Sequence, residues 1–429
     1  MGYVRGVKCV LCGTEYAVQE ARYICPAHSG AHSDAGILDV LYDYDAIRPL
    51  LTRGTLGQNT DFSIWRYLPL LPVDAALVER LRGAEIAHPL FRVGWTPLYR
   101  AHKLEKTLDL PAVYVKDEGR NPSASFKDRA SAVGILKALE WKIPVISAAS
   151  TGNAASSLAT LSASLGIRNV IFVPQTAPRA KLAQLLIHGA TVLPVQGTYD
   201  QAFDLCLQAS RTFGWCCRNT GYNPYLSEGK KTAAFEICEQ LGWQVPDRIF
   251  VSVGDGCIIG GLGKGLRDLR ALGLIDRMPR LVGVQAAGSA ALYHAWKAGT
   301  EEVVPVQADT LADSISVDMP RDRIKALRAV RDTGGAFLTV TDQEILDAMR
   351  ALARQAGVFG EPAGAASYAG LVKARREGWV KDGERVVVLV TGSGLKDVPS
   401  ALRAVVEPAP IAPTLAAVRG AVELRDTIE

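Results

Sequence analysis

The sequence predicts an α/β protein built from two doubly wound, mostly parallel sheets, with a small cysteine-containing ribbon at the N-terminus. Seven short runs rich in Val, Ile and Leu alternate with helix-length segments between residues 113 and 390. Runs that are apolar on both faces are typical of parallel strands covered by helices on both sides. Seven strands over about 300 residues exceed one compact layer, which predicts two sheets. Three of the eight cysteines lie within the first 25 residues and indicate the ribbon.

Length and composition exclude several classes of protein. At about 150 residues per domain, 429 residues predict two or three domains. The net charge is 48 − 44 = +4 with no long run of one sign, which argues against a nucleic-acid partner. The longest aliphatic stretch, residues 386–390, is far shorter than the roughly 20 residues that span a bilayer. Without a secretory signal pattern or a disulfide framework, the sequence predicts a cytoplasmic protein with no membrane partner.

The N-terminal cysteines are spaced as metal ligands. Cys9 and Cys12 form a Cys-x-x-Cys pair, and Cys25 precedes His28 by three residues. Two close pairs of such ligands can close a tetrahedron around a structural Zn²⁺, and the metal replaces a core that about forty residues cannot build alone. His28 or His32 supplies the fourth ligand in this interpretation. The alternative is a pair of ordinary buried cysteines with a surface histidine.

Four units follow from these patterns. Residues 1–45 are the predicted zinc ribbon, and residues 46–85 are a predicted N-terminal extension in which residues 65–72 form an extended arm. Residues 86–240 and 241–429 are the two predicted sheet domains, the first carrying the loops up to residue 157 and the second the glycine-rich loop. The predicted strands cover residues 113–116, 145–148, 170–173, 191–195, 249–253, 281–284 and 386–390.

The first loop of chemical interest leads into a helix predicted over residues 126–141. Gly, Asn and Pro follow the strand, and Ser125 is the predicted N-cap. Lys127 then lies in the first helical turn, at the positive end of the macrodipole, where a cation is disfavoured and an amine is easier to deprotonate. Taken alone, this loop does not distinguish Lys127 from a solvated surface lysine.

The second loop also leaves a strand and opens a helix. It places Ser150, Thr151 and Gly152 at the helix start, where backbone N–H groups can bind a carboxylate or a phosphate. An ordinary capping turn has the same composition, so the loop alone leaves both interpretations open.

The third loop, residues 253–261, is rich in glycine but does not match the dinucleotide fingerprint G-x-G-x-x-G. Ile259 replaces the third glycine, and Gln285 stands where an acidic residue is needed at the end of the next strand. The loop remains a suitable phosphate cradle.

In the fourth loop, Thr391 ends the last strong strand. A lysine at a helix start, two anion-suited loops and a strand-end hydroxyl together predict a pyridoxal-phosphate site, because the aldehyde of that cofactor reacts with a lysine.

These segments resemble threonine synthases and, more broadly, the fold type II pyridoxal-phosphate enzymes related to the tryptophan synthase β subunit. The resemblance extends over residues 93–399, and related members also carry an N-terminal zinc ribbon. The matching motifs are Ser125-Phe126-Lys127-Asp128-Arg129, Ser150-Thr151-Gly152-Asn153, Asn223-Pro224-Tyr225, Glu228-Gly229-Lys230-Lys231-Thr232, Glu361-Pro362-Ala363 and Thr391-Gly392-Ser393-Gly394.

The resemblance implies roles for the matched residues. Lys127 is the implied cofactor lysine and the catalytic acid and base. Asn153 is the implied partner of the cofactor 3-hydroxyl, and Thr391 faces the pyridine nitrogen. The implied ligands of the cofactor phosphate are Gly254, Asp255, Gly256, Cys257 and Ile258.

One departure from the family concerns the substrate. Threonine synthases commonly have Asn-Pro-x-Arg, whose arginine helps to bind the phosphate of O-phosphohomoserine, whereas this chain has Leu226 at that position. A leucine cannot pair with a dianion. The predicted substitutes and other substrate-binding residues are Lys181, Lys230, Lys231, Asn219, Thr220, Ser150, Thr151 and Gly152.

The implied activity is conversion of O-phospho-L-homoserine and water to L-threonine and phosphate by a homodimer acting on a small amino-acid substrate. The alternatives that keep the cofactor are a serine or threonine dehydratase and a synthase that uses O-phosphoserine. Two other classes remain open. A zinc-ribbon binding protein with an inactive α/β body is disfavoured because Lys127, Asn153 and Thr391 are all retained, and a nicotinamide dehydrogenase is disfavoured by Ile259 and Gln285.

Overall fold

A small antiparallel sheet begins the fold, which a computed structural model describes for residues 2–28, 36–83, 88–177 and 179–426. Its strands are β1 (Val4–Cys9), β2 (Glu15–Tyr16) and β3 (Leu38–Tyr42), in the order β2-β1-β3. Buried and half-buried residues alternate along β3, so one face of this sheet packs against the rest of the protein.

The predicted extended arm at residues 65–72 is wrong. Most of it forms a 3₁₀ helix, Ile64–Leu70, in which Trp65 and Tyr67 are buried. Trp65 Nε1 donates to the carbonyl of Leu90 at 3.0 Å, and Tyr67 Oη donates to Glu239 at 2.5 Å. The segment folds back because its aromatic side chains lose far more exposed apolar surface there than in an extended arm. Its neighbouring helices are α1 (Tyr44–Ile47), α2 (Arg53–Gln58) and α3 (Ala75–Arg82).

From residue 98 onward strands and helices alternate, as the sequence predicts. The first part comprises β4 (Leu98–Arg100), α4 (His102–Leu108), β5 (Ala112–Asp117), α5 (Lys127–Glu140), β6 (Val145–Ala149), α6 (Asn153–Ala163), β7 (Arg168–Pro174), α7 (Arg179–Leu186), β8 (Thr191–Val195), α8 (Tyr199–Phe213), β9 (Cys216–Cys217), α9 (Tyr225–Lys230) and α10 (Thr232–Gln240). The second part comprises β10 (Arg248–Ser252), α11 (Cys257–Ala271), β11 (Arg280–Ala286), α12 (Ala291–Lys297), α13 (Arg323–Asp332), β12 (Ala336–Val340), α14 (Asp342–Ala356), α15 (Pro362–Arg376), β13 (Arg385–Val390), α16 (Val398–Arg403) and α17 (Leu415–Asp426).

Two larger sheets confirm the predicted α/β class. One has the order β12-β11-β10-β13-β5-β4 and the other the order β8-β7-β6-β9. Every pairing in them is parallel except that of the edge strand β4 with β5. All seven predicted strands are present. The sequence did not predict β4, β9 or β12.

The six-stranded sheet takes strands from two distant parts of the chain. β4 and β5 lie within the predicted domain 86–240, yet they pair in one sheet with β10 to β13. The chain thus passes from the six-stranded sheet to the four-stranded sheet and back. The predicted domain boundaries remain a prediction. In the described part of the chain, no helix has the length and apolar character needed to cross a membrane.

A buried ionic network holds α5 against its neighbours. Arg129, two residues after Lys127, donates to Glu118 at 2.7 Å and to Glu236 at 2.5 Å. Lys116 on β5 donates to Glu236 at 2.7 Å, and all four side chains have no solvent exposure. Because charges so deeply buried are costly unless they are paired, this network fixes the position of the first turn of α5.

Candidate active site

A cavity of about 530 Å³ lies where strands of both larger sheets end. Its lining residues directly follow β6, β9, β10 and β13, which is where parallel α/β sheets place their ligands. The predicted residues that line it are Lys127, Ser150, Thr151, Gly152, Asn153, Asn219, Thr220, Gly254, Asp255, Gly256, Cys257, Ile258 and Thr391. Lys181 lies outside this cavity, on a small neighbouring one that shares Thr151 and Gly152.

Lys127 is the first residue of α5 and is half-buried in the cavity wall. The prediction that Ser125 caps this helix is wrong. Ser125 instead forms an antiparallel bridge with Gly392, and the N–H of Phe126 donates to the carbonyl of Thr391 at 2.8 Å. These backbone contacts replace a side-chain cap and bring the start of α5 beside the end of β13.

Burial lowers the pKa of the Lys127 ammonium, and the nearby guanidinium of Arg218 lowers it further. Cys257, Asp255 and Glu361 act in the opposite direction without reversing the shift. A larger fraction of Lys127 is therefore the neutral amine near neutral pH than for an exposed lysine. A neutral amine is the form that attacks an aldehyde or accepts a proton.

Asn153 begins α6 and contacts an acidic residue on the opposite wall. Its Nδ2 donates to Glu361 Oε1 at 2.8 Å, and both side chains are buried. Burial raises the pKa of the Glu361 carboxyl, although the hydrogen bond from Asn153 and the charges of Lys396 and Lys127 oppose that rise. The sequence places Glu361 in a motif but predicts no role for it.

Gly152, in the loop before α6, has free space on its side-chain side. A Cβ added there would have no neighbouring atom within 4 Å, so a ligand can approach the backbone of this loop.

The predicted phosphate cradle has the geometry of an anion site. Cys257 is the first residue of α11, and Gly256 precedes it with φ +87°. A Cβ on Gly256 would lie 2.6 Å from the Cβ of Ala326, so both the left-handed backbone and the close packing require glycine. The loop and the first residues of this 15-residue helix line the cavity, so the N-terminus of α11, whose first N–H groups have no partner within the helix, lies at the cavity wall. Burial raises the pKa of the Cys257 thiol well above its usual value, which disfavours the nucleophilic thiolate form.

The three lysines predicted to replace the missing arginine have different surroundings. Lys231 is buried between Glu228 at 2.5 Å and Asp268 at 2.6 Å and does not line the cavity. Lys181 forms an ion pair with Asp313 at the smaller cavity. Lys230 is fully buried and does not line the cavity either, but its Nζ has no hydrogen-bond partner among the described residues. Lys231 is thus excluded as a substrate ligand.

Sequence reasoning missed Arg218, a basic residue of the cavity wall. It follows the two-residue strand β9, and only 2% of it is exposed. The sequence feature that could have indicated Arg218 is its position directly before Asn219 and Thr220, which are predicted to bind the substrate. The short strand was too weak a pattern to place Arg218 at the carboxyl edge of a sheet.

The N-terminal cluster converges as the sequence predicts. The ligand atoms of Cys9, Cys12, Cys25 and His28 all lie within 4.8 Å of one another. His28 Nδ1 is 3.4 Å from Cys25 Sγ, which is 3.9 Å from Cys12 Sγ. Zn–S bonds of about 2.3 Å place tetrahedral sulfur ligands about 3.8 Å apart, so this spacing suits zinc. His32, the alternative ligand, lies outside the described residues.

The cavity fits pyridoxal phosphate on its own chemistry. It combines an amine whose pKa is lowered, a glycine loop at a helix N-terminus and the buried cation Arg218, to which no carboxylate is hydrogen-bonded among the described residues. These features suit, respectively, an aldehyde, a phosphate and a second anionic group.

Comparisons with known proteins agree with this chemistry. Residues 90–392 match the family described as pyridoxal-phosphate dependent enzyme. The chain is 39% identical over 405 residues to a threonine synthase of Methanocaldococcus jannaschii, a match that covers 94% of this chain and 95% of that protein. It is 38% identical over 423 residues to a threonine synthase of Methanosarcina acetivorans, covering 97% and 98% of the two chains.

Solved structures show the same fold. Threonine deaminase isoform 2 from Solanum lycopersicum superimposes with a TM-score of 0.64 at 23% identity, covering 77% of this chain and 93% of that chain. Maize serine racemase superimposes with a TM-score of 0.60 at 18% identity, covering 75% and 95%. The predicted fold type II architecture is confirmed. The chain belongs to the pyridoxal-phosphate dependent enzyme family and, within it, to the threonine synthases.

Proposed function

We propose that this threonine synthase converts O-phospho-L-homoserine and water to L-threonine and phosphate in the cavity around Lys127. The observation that carries the proposal is the meeting of three features at one cavity: the Lys127 amine with its lowered pKa, two helix N-termini, and the guanidinium of Arg218, to which no carboxylate is hydrogen-bonded among the described residues. An amino acid that bears both a carboxylate and a phosphate matches that set of groups.

Four groups of residues would hold the cofactor. Lys127 would bind it covalently, residues 254–258 would bind its phosphate through backbone N–H groups, and Asn153 and Thr391 would serve its 3-hydroxyl and its pyridine nitrogen. Pyridoxal phosphate, when bound, supplies an electron sink that acidifies the hydrogens on the carbons of an attached amino acid. The neutral Thr391 hydroxyl does not hold the pyridine nitrogen protonated as an aspartate would, which suits elimination and replacement more than transamination.

The protein itself supplies the proton transfers. Lys127 Nζ accepts the proton from the substrate α-carbon, because burial favours its neutral form. A second proton leaves the β-carbon as phosphate leaves the γ-carbon. The γ-carbon then gains a proton, water adds its hydroxyl at the β-carbon, and Lys127 Nζ returns a proton to the α-carbon. The N–H groups at Ser150, Thr151 and Gly152 orient the substrate carboxylate at the start of α6.

Steady-state kinetics with four substrates tests this function. We expect phosphate release and threonine formation from O-phosphohomoserine, and much slower reaction with O-phosphoserine, threonine and serine. Efficient deamination of threonine or serine without phosphate release from either ester would replace this function with the dehydratase alternative. That alternative is favoured by Leu226, which is buried and absent from the cavity wall.

The N-terminal cluster is proposed to bind one structural Zn²⁺ per chain through Cys9, Cys12, Cys25 and His28. Four protein ligands leave no position for a reactive water, so the metal serves folding and not chemistry. Metal analysis of the purified protein is expected to give one zinc per chain, and Cys9→Ser is expected to lose most of it. Cys238→Ser, a buried cysteine elsewhere, is the matched control and retains zinc. Equal zinc in wild-type and Cys9→Ser protein contradicts the site.

A cytoplasmic location and a homodimer complete the proposal. All eight cysteines lie in described parts of the chain and none forms a disulfide, which suits a reducing compartment. The resemblance to other threonine synthases implies the dimer. Sedimentation velocity of the holoenzyme tests it, since a single-chain species at micromolar concentration would contradict a stable dimer.

A further inference from the structure

Arg218 is a buried cation whose hydrogen bonds to described residues all go to neutral oxygens. Its Nε donates to Ser131 Oγ at 3.1 Å, its Nη1 to Thr220 Oγ1 at 3.4 Å and its Nη2 to the carbonyl of Lys127 at 3.5 Å. Only 2% of the residue is exposed, and it lines the cavity. Two of these three bonds are long, so the guanidinium has capacity for a stronger acceptor.

Lys230 is a second buried cation near the same place. It has no solvent exposure, and its Nζ has no hydrogen-bond partner among the described residues. Its pKa is lowered to about 8, first by burial and then by the positive charges of Lys127 and Arg218, while Cys257 and Asp322 act in the opposite direction. No carboxylate among the described residues is hydrogen-bonded to Arg218 or to Lys230, so a bound anion would offset buried positive charge that these acidic groups do not pair directly.

Position 226 explains how this arrangement is possible. Leu226 is buried, and a Cβ on Gly134 would lie 2.9 Å from Leu226 Cδ2, so Leu226 packs against α5 at Gly134. Arg218 contacts Ser131, which lies three residues before Gly134 and therefore on the same face of α5. Side chains at positions 218 and 226 thus both reach the stretch of α5 from Ser131 to Gly134.

We propose that Arg218, assisted by Lys230, binds the phosphate group of the substrate and supplies from position 218 the positive charge that a leucine at position 226 cannot supply. The inference deepens the proposed function and rests on it. It assigns specificity for a phosphate ester over a plain hydroxy amino acid to Arg218. The general ligand is a phosphate monoester dianion, for which a guanidinium is a bidentate partner.

Inorganic phosphate binding to the holoenzyme is the direct test. By isothermal titration, Arg218→Gln is expected to weaken phosphate binding by about 10- to 100-fold, the effect of losing a charge-assisted hydrogen bond. Its kcat/KM for O-phosphohomoserine is expected to fall by a similar factor, while cofactor affinity is unchanged. The matched control is Arg211→Gln, an arginine on α8 outside the cavity wall, which is expected to bind phosphate as the wild type does.

A second variant guards against misfolding of Arg218→Gln. The double variant Arg218→Leu/Leu226→Arg moves the guanidinium to the other position on the same face of α5. It is expected to bind phosphate more tightly than Arg218→Leu alone, by about tenfold or more. Lys230→Gln is expected to weaken phosphate binding by a smaller factor.

The outcomes separate this inference from the proposed function. Wild-type phosphate affinity in a folded Arg218→Gln protein overturns the inference, even if the enzyme makes threonine. Loss of cofactor affinity with unchanged phosphate binding also overturns it, because the cations would then serve the cofactor phosphate. If the wild type does not turn over O-phosphohomoserine but binds phosphate through Arg218, the proposed reaction fails and the anion site stands.

Discussion

Lys127→Ala is expected to lower kcat for threonine formation by more than about 10⁴-fold. The variant loses both the covalent link to the cofactor and the group that moves protons at the substrate carbons. The lowered pKa of Lys127 makes its neutral amine available near neutral pH, and no other lysine lines the main cavity among the described residues. The loss should therefore exceed that of a residue with one role alone.

Three comparisons make this result specific. Lys127→Arg keeps the positive charge but not the nucleophilic amine, so we expect it to be as inactive as the alanine variant. Lys103→Ala, at an exposed lysine on α4, is the control and should retain wild-type activity. The far-ultraviolet circular dichroism of all variants should match the wild type. Activity of Lys127→Ala within tenfold of the wild type would contradict its assigned role.

Glu236→Gln is expected to lower the free energy of unfolding by about 3–5 kcal/mol, the effect of breaking a buried ion pair by removing one partner. Glu236 accepts from Lys116 at 2.7 Å and from Arg129 at 2.5 Å, and none of the three side chains is exposed. The glutamine variant leaves two buried cations with less negative charge around them. Denaturant unfolding monitored by fluorescence and circular dichroism measures the change.

The exposed pair of Lys8 with Glu15 provides the matched control. Its side chains are 46% and 55% exposed, so Glu15→Gln is expected to change stability by less than about 1 kcal/mol. A loss below that value for Glu236→Gln would mean that the network does not hold α5.

The pH dependence of stability follows from the same residue. Although burial alone would raise the pKa of Glu236, the charges of Arg129 and Lys116 lower it to about 2 from 4.5. The stability that its charge contributes is therefore complete above pH 4.5 and is lost as the pH falls toward 2. Glu236→Gln should show a weaker loss of stability over that range than the wild type.

The strands of the two larger sheets were predictable where both faces are buried. β6, β10 and β13 are apolar along most of their length, so their pattern is visible without tertiary information. β4 and β9 have three and two residues, too few to form a period. The 3₁₀ helix Ile64–Leu70 contains Pro69, which suggests an extended chain, and only its tertiary contacts decide otherwise.

The site shows a similar division. Loops after strong strands could be assigned to one cavity because the carboxyl ends of parallel strands share an edge. The sequence could not predict that two adjacent lysines have different surroundings. Lys230 lies near Lys127 and Arg218, whereas Lys231 is paired with Glu228 and Asp268. The sequence motif contains both lysines, and only tertiary contacts distinguish Lys230, the last residue of α9, from Lys231, which follows it and pairs with Asp268 on α11. The predicted cap at Ser125 is absent because the backbone of Ser125 and Phe126 pairs instead with Gly392 and Thr391, just after β13.

Borohydride reduction of the holoenzyme followed by peptide mapping tests most directly whether the cavity is a pyridoxal-phosphate site centred on Lys127. Reduction should eliminate the visible absorbance of the cofactor and leave one labelled peptide, the one containing Ser125-Phe126-Lys127-Asp128-Arg129. Label on that peptide alone is the predicted result. Label on any other lysine, or no label on protein that carries the cofactor, would contradict the assignment of the active site.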